Sequence, residues 1–200
     1  MDVRLAALVS AIAIALTAGP AVAKKKTRDV NIQTVTKFYA ISGETPAELA
    51  KSMRRYGPYS SAHGRRVFAT TNRVLRWNID HAYENGICRV KRATIDLKIT
   101  YNMPKLRDGI RMRRSVRNTW RQMYRLLDRH EKVHGANYRR LARDSYKALK
   151  SLKSEKSCRV LHRKGNALVL ALAREDVERN ARFERSDTRN YRRMDRLIKR

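Results

Sequence analysis

The chain has 200 residues and carries 47 Lys and Arg against 18 Asp and Glu, a formal charge of +29 at pH 7. It contains no Gly-rich phosphate loop, no aromatic RNA-binding motif and no Cys/His finger, so the charge has no nucleic-acid reader to go with it. Beyond the first 23 residues no stretch has the length and apolarity of a membrane span.

From the amino end, Leu5 to Ala18 is a largely apolar run, Gly19-Pro20 breaks it, and Ala21-Val22-Ala23 is a small-residue cleavage site. Residues 1–23 therefore read as a cleaved signal peptide, with an uncleaved anchor as the alternative, and the expected location is periplasmic or secreted. Export shifts the expected partners of the basic surface from nucleic acid to anionic envelope polymers or lipid head groups. Lys24 to Thr27 reads as a basic start. Val30 to Ile41, rich in β-branched and aromatic residues, reads as a strand that Ser42-Gly43 ends. Thr45-Pro46-Ala47-Glu48 has capping-box spacing with proline at the first helical position, which predicts a short helix to about Tyr56. Arg66 to Asp80 and Ile87 to Thr100 read as two more strands, joined by a hairpin connection over His81 to Gly86 that contains Asn85-Gly86. In the latter, Ile95, Leu97 and Ile99 alternate with polar residues, the pattern of a half-buried strand.

Asn102-Met103-Pro104 is expected to turn the chain into a helical half. A long helix is predicted over Val116 to Lys150 and another over Arg159 to Phe183, with Leu161, Ala167, Leu168, Ala171, Leu172 and Val177 as the second helix's apolar side. Arg182 to Arg200 is strongly basic and is expected to be loosely ordered, residues 191–200 forming a tail. Strands first and helices second predict an α+β fold, a small antiparallel sheet packed on the long helix and the second C-terminal helix, as a single domain over residues 24–190. Cys88 and Cys158 are the only two cysteines, so export predicts one bridge; two buried free thiols are the alternative. Such a bridge would close a loop of about 70 residues and stabilise by roughly 4 kcal/mol on chain-entropy grounds.

The chemistry is concentrated in His130-Glu131-Lys132-Val133-His134, inside the long helix. Residues four apart lie one turn along and about 40° around a helix, so both imidazoles can reach one divalent ion. Glu131 is placed beside them as a general base for a water at that ion, and the expected cofactor is Zn2+. Arg129 and Lys132 bring positive charge to the motif, which opposes a cation unless their heads turn to solvent. The competing reading is a charged helix face on which two positions happen to be histidine. His63, His81 and His162 read as surface histidines, and Tyr138, one turn after His134, as a packing residue or an oxyanion donor.

The landmarks Phe38-Tyr39-x-x-Ser42-Gly43, Thr45-x-x-Glu48-Leu49, Gly64-Arg65-Arg66, Arg76-Trp77, Cys88, Trp120, His130-Glu131-x-x-His134, Cys158 and Asn166-Ala167 follow one another in order. In this the chain resembles, from about Phe38 to Asn190, a bacterial family of unknown function predicted to be secreted Zn-dependent proteases. The resemblance implies a zincin-like, extracytoplasmic peptidase acting on a peptide or protein. It implies zinc on His130 and His134, Glu131 as general base and a Cys88–Cys158 bridge. It leaves the third ligand open. Related sequences often carry a Thr-x-His-Gly stretch where this chain has Thr188-Arg189-Asn190-Tyr191, and an asparagine amide is a poor zinc ligand. Glu184 or Asp187 can supply a carboxylate instead. If neither does, the chain is an inactive homologue acting as a cationic binder.

Overall fold

The computed structural model describes residues 29–200; the predicted signal peptide, its anchor alternative and the basic start lie outside them. The order is β1 (Val30–Ile41), α1 (Pro46–Tyr56), β2 (Tyr59–Ser60), β3 (Arg65–Arg66), β4 (Thr70–Glu84), β5 (Ile87–Leu106), α2 (Arg114–Lys150), α3 (Cys158–Ser186) and α4 (Thr188–Ile198). This is an α+β fold. The main sheet has the order β1-β5-β4, and β2 pairs with β3 in a separate two-stranded sheet.

β5 is the central strand of the sheet, and β4 joins it in a hairpin. Glu84 pairs with Ile87, so its loop is Asn85-Gly86 alone, with φ of 50° and 75°. Two consecutive positive φ values suit the twist of a hairpin, and Asn-Gly meets that demand at little cost. The predicted six-residue connection is thus mostly strand. The sheet is mixed rather than wholly antiparallel, because β1 runs parallel to β5 from Val30 beside Ile95 to Ile41 beside Leu106. A parallel partner needs a crossover, and α1 with β2, β3 and β4 supplies it.

Asn102-Met103-Pro104 does not turn; β5 continues through it to Leu106. Ile95 N–H donates to Asp29 O and Arg107 N–H to Ile41 O, so odd-numbered residues of β5 direct their amides at β1. Pro104 has the other parity, and its missing N–H faces the side where β4 pairing begins only at Asn102. A proline costs no ladder bond there.

Ala93, Ile95, Leu97, Ile99, Tyr101 and Met103 point from β5 into the core. Facing them, α2 presents a stripe at helical spacing: Trp120, Met123, Leu127, Glu131, His134, Leu141, Ser145 and Leu149 are all buried. Two motif residues therefore sit in the helix's buried stripe. Gly135 brings α2 close to the sheet, since a Cβ there would lie 1.9 Å from Tyr101 Oη and 2.9 Å from its Cζ.

α3 returns antiparallel along α2. At one end Leu149 packs against Gly165, and at the other His130 meets Asp187. The inward residues of α3 are Leu161, Gly165, Val169 and Asp176; of the expected apolar side Leu161 is buried and Ala171 and Leu172 are half-buried, whereas Ala167, Leu168 and Val177 are exposed. Below Val169 the inward stripe becomes polar. The predicted loosely ordered stretch after Arg182 is helical instead: α3 extends to Ser186, and α4 buries Met194 and Leu197 in the core. A Cys88–Cys158 disulfide, with Cα atoms 5.2 Å apart, ties the start of β5 to the start of α3. Among the described residues no helix is long and apolar enough to cross a membrane.

Gly135→Ala is expected to cost about 1–3 kcal/mol in denaturant unfolding, because the methyl group must push Tyr101 or the helix aside. Tyr101→Phe in that background should recover part of the loss by removing the hydroxyl that the methyl group meets.

Candidate metal centre

α2 contributes His130 and His134, and α3 contributes Glu184. His134 Nε2 lies 3.0 Å from Glu184 Oε1 and 3.3 Å from His130 Nε2, and His130 Nε2 lies 3.4 Å from Glu184 Oε1. A tetrahedral ion with bonds of about 2.0–2.1 Å keeps its ligand atoms roughly 3.3 Å apart, so these three atoms have the spacing of three corners of such a site. Two imidazole nitrogens and one carboxylate oxygen are also a donor set that zinc accepts. The residues fit the group.

The other ring nitrogens are already committed. His130 Nδ1–H donates to Asp187 Oδ2 at 2.7 Å, and His134 Nδ1–H donates to Asn180 Oδ1 at 2.8 Å. In the neutral ring each bond sets the tautomer whose Nε2 lone pair is free for an ion, and each fixes the plane of its ring. Asn180 is anchored in turn, its amide donating to Asp176 O at 2.8 Å and to Asp176 Oδ2 at 3.2 Å. Asn137 Nδ2 also donates to Asn180 Oδ1 at 2.9 Å. The Asp176 side chain is wholly buried and meets Arg73 at 2.9 Å and Arg179 at 3.4 Å. On Glu184, Tyr191 donates a short hydrogen bond to Oε2, leaving Oε1 for the centre.

The electrostatics favour a positive charge here. Burial pulls the His130 imidazole down, but its bonds to Glu184 and Asp187 outweigh that and hold it up at about 9. His134 is likewise raised, burial opposing and Glu184 and Asn180 prevailing. Burial works against the Glu184 carboxylate, yet the two imidazoles and Tyr191 hold its pKa well below the usual range. Their side chains are 10 % exposed for each histidine and 28 % for Glu184, so the group is shielded but reachable. A pocket that stabilises imidazolium is one that also stabilises a metal cation.

Glu131 is 5 % exposed and points at β4, where Thr71 Oγ1–H donates to its Oε2 at 2.6 Å. Burial raises its pKa, with Thr71 and both histidines pulling the other way. The carboxylate is therefore a stronger base than an exposed glutamate. Lys132 turns outward and pairs with Asp128 at 2.6 Å, so its charge is directed away from the centre. Tyr138 donates to Thr71 O at 3.3 Å beneath the Arg73 guanidinium, bracing α2 against β4.

Of the residues expected from the sequence, His130, His134 and Glu184 converge, whereas Asp187 serves behind His130 and not at the ion position. Thr71, Asp176, Asn180 and Tyr191 went unrecognised. A signal for two of these existed: Asp176 and Asn180 precede Glu184 and Asp187 at four-, four- and three-residue steps, a polar stripe. His81 and His162 hydrogen-bond each other at 3.0 Å beside Cys88 and Cys158, whose sulfurs are spent in the disulfide.

A family profile described as "Bacterial protein of unknown function (DUF922)" matches residues 36–190. The chain belongs to the DUF922 family. The DUF922 match spans every residue of the centre from Thr71 to Asp187, with Tyr191 just beyond it. No curated protein and no solved structure matches the chain.

If the group holds a divalent ion, Asp187→Ala and Asn180→Ala are each expected to weaken its binding about 10–100-fold, since each frees a ring that must be held. Competition against a chromophoric chelator measures the loss, and circular dichroism checks that both variants keep the fold.

Proposed function

We propose that this DUF922 protein is an exported zinc-dependent hydrolase of the peptidase type. The observation that carries the reading is the spacing of His130 Nε2, His134 Nε2 and Glu184 Oε1, three donors within 3.4 Å of one another. Zinc held there supplies Lewis-acid polarisation of a scissile carbonyl and a lowered pKa for water. The two neutral imidazoles and one carboxylate leave a net positive charge at the ion, which favours both effects. Glu131 is the proton acceptor: Thr71 occupies its Oε2, its Oε1 carries no hydrogen bond among the described residues, and burial has raised its basicity. After attack it returns that proton to the departing amine, as a carboxyl of raised pKa can. Thr71 holds the carboxylate in one rotamer throughout. Asp187, Asn180 and Tyr191 keep the ligands from turning as charge develops.

The disulfide and the expected signal peptide support an oxidising, extracytoplasmic location. Purified from zinc-replete medium, the protein is expected to carry about one zinc per chain. Glu131→Gln should retain that zinc while lowering hydrolysis of quenched-fluorescent peptides by about 10²–10⁴-fold, the usual contribution of a general base. A well-folded, metal-free wild type would overturn the proposal and leave a cationic binding protein.

A further inference from the structure

Beside the centre, between α2 and the start of α4, lies a cavity of about 170 Å³ with His130 in its wall. It far exceeds the ~15 Å³ that a single water needs. Leu126, Val133 and Phe183 give it an apolar lining. Arg129 from α2 and Arg189 and Arg193 from α4 line it as well, and all three are exposed residues, so the cavity opens to solvent along an arginine-lined side.

Arg73 and Arg179 are paired with Asp176, and Lys132 with Asp128. None of Arg129, Arg189 and Arg193 makes an ion pair or hydrogen bond among the described residues. The one acid in the cavity wall, Asp187, is engaged by His130 Nδ1 at 2.7 Å. Three guanidiniums around one opening repel each other, and an anion entering between them relieves that repulsion. A planar fork of donors matches a carboxylate in particular. The apolar lining suits the methylenes that would carry it.

We propose that this cavity is a specificity subsite which receives an acidic side chain of the substrate next to the scissile bond. The inference rests on the zinc-hydrolase reading and deepens it. Methylenes lie against Leu126, Val133 and Phe183, and the carboxylate is bound by Arg129, Arg189 and Arg193. His130 is shared by the cavity wall and the candidate ligand group, which puts the cavity next to the centre. The protein's preference is then for acidic peptides.

The test uses zinc-loaded protein and small thiols that ligate zinc: ω-mercaptocarboxylates of two to five carbons and the corresponding amides, titrated calorimetrically. At least one acid should bind about tenfold or more tightly than its amide. Replacing the three lining arginines (Arg129→Ala, Arg189→Ala, Arg193→Ala) should reduce that preference to under about twofold, with amide affinity unchanged. A control variant, Arg185→Ala, Arg192→Ala, Arg196→Ala, loses equal charge outside the cavity and should keep the preference. Equal binding of acid and amide by the wild type overturns the subsite while leaving the zinc reading intact. Equal loss in the control also overturns it, because bulk charge then suffices. If neither thiol binds, the zinc reading fails and the subsite with it.

Discussion

The structure turns on a constraint between two antiparallel helices: the buried imidazoles of α2 must find hydrogen-bond acceptors on α3. A histidine ring removed from water loses the partners of both nitrogens, and an unpaired buried donor costs more than most single contacts return. Asp187 and Asn180 supply those acceptors at Nδ1, which leaves both Nε2 atoms directed at Glu184. The geometry of the centre thus follows from satisfying the rings from behind. It also explains why α3 carries Asp176, Asn180 and Glu184, with Asp187 as its C-cap, on the side that faces the protein, where a structural helix would carry leucines.

A polar interhelical seam contributes little net stability, so other contacts hold the helices in place. The disulfide pins the first turn of α3 to β5 at the far end of the hairpin. Leu149, Gly165, Val169 and Ile79 pack near that end, and Met194 and Leu197 of α4 pack near the other. Gly135 lets α2 lie directly on Tyr101 beside the motif. Rigid packing on both sides of a polar centre is what keeps second-layer partners such as Asn180 effective.

Several landmarks of the family resemblance maintain this scaffold and lie outside the candidate centre. Trp77 Nε1–H donates to Asn166 Oδ1 at 2.8 Å, joining β4 to α3. Tyr39 O–H donates to Phe68 O at 2.6 Å, and the Thr45 hydroxyl accepts from Glu48 N–H at 3.2 Å as the cap of α1. Glu48 Oε2 accepts from Glu44 N–H, one residue earlier than a capping box requires. The surrounding arginines divide into those neutralised by buried acids, such as Arg73, and those left facing the cavity beside His130.

Local pattern alone determined a good deal. Alternation in β5, the Asn-Gly turn, the capped start of α1 and the long α2 with its paired histidines are all set by short-range periodicity, and the sequence carries them openly. So is the pairing of the only two cysteines once export is assumed. What only the tertiary structure decided depends on partners far apart in the chain. The parallel pairing of β1 with β5, the strand course through Pro104 and the helical order of α4 each require a neighbour that no local window contains. The choice of Glu184 over Asp187 at the centre is of the same kind. Glu184 in the last turn of α3 and Asp187 at its C-cap are three residues apart, and only the antiparallel docking of α3 puts one level with the Nε2 atoms and the other with a ring's Nδ1.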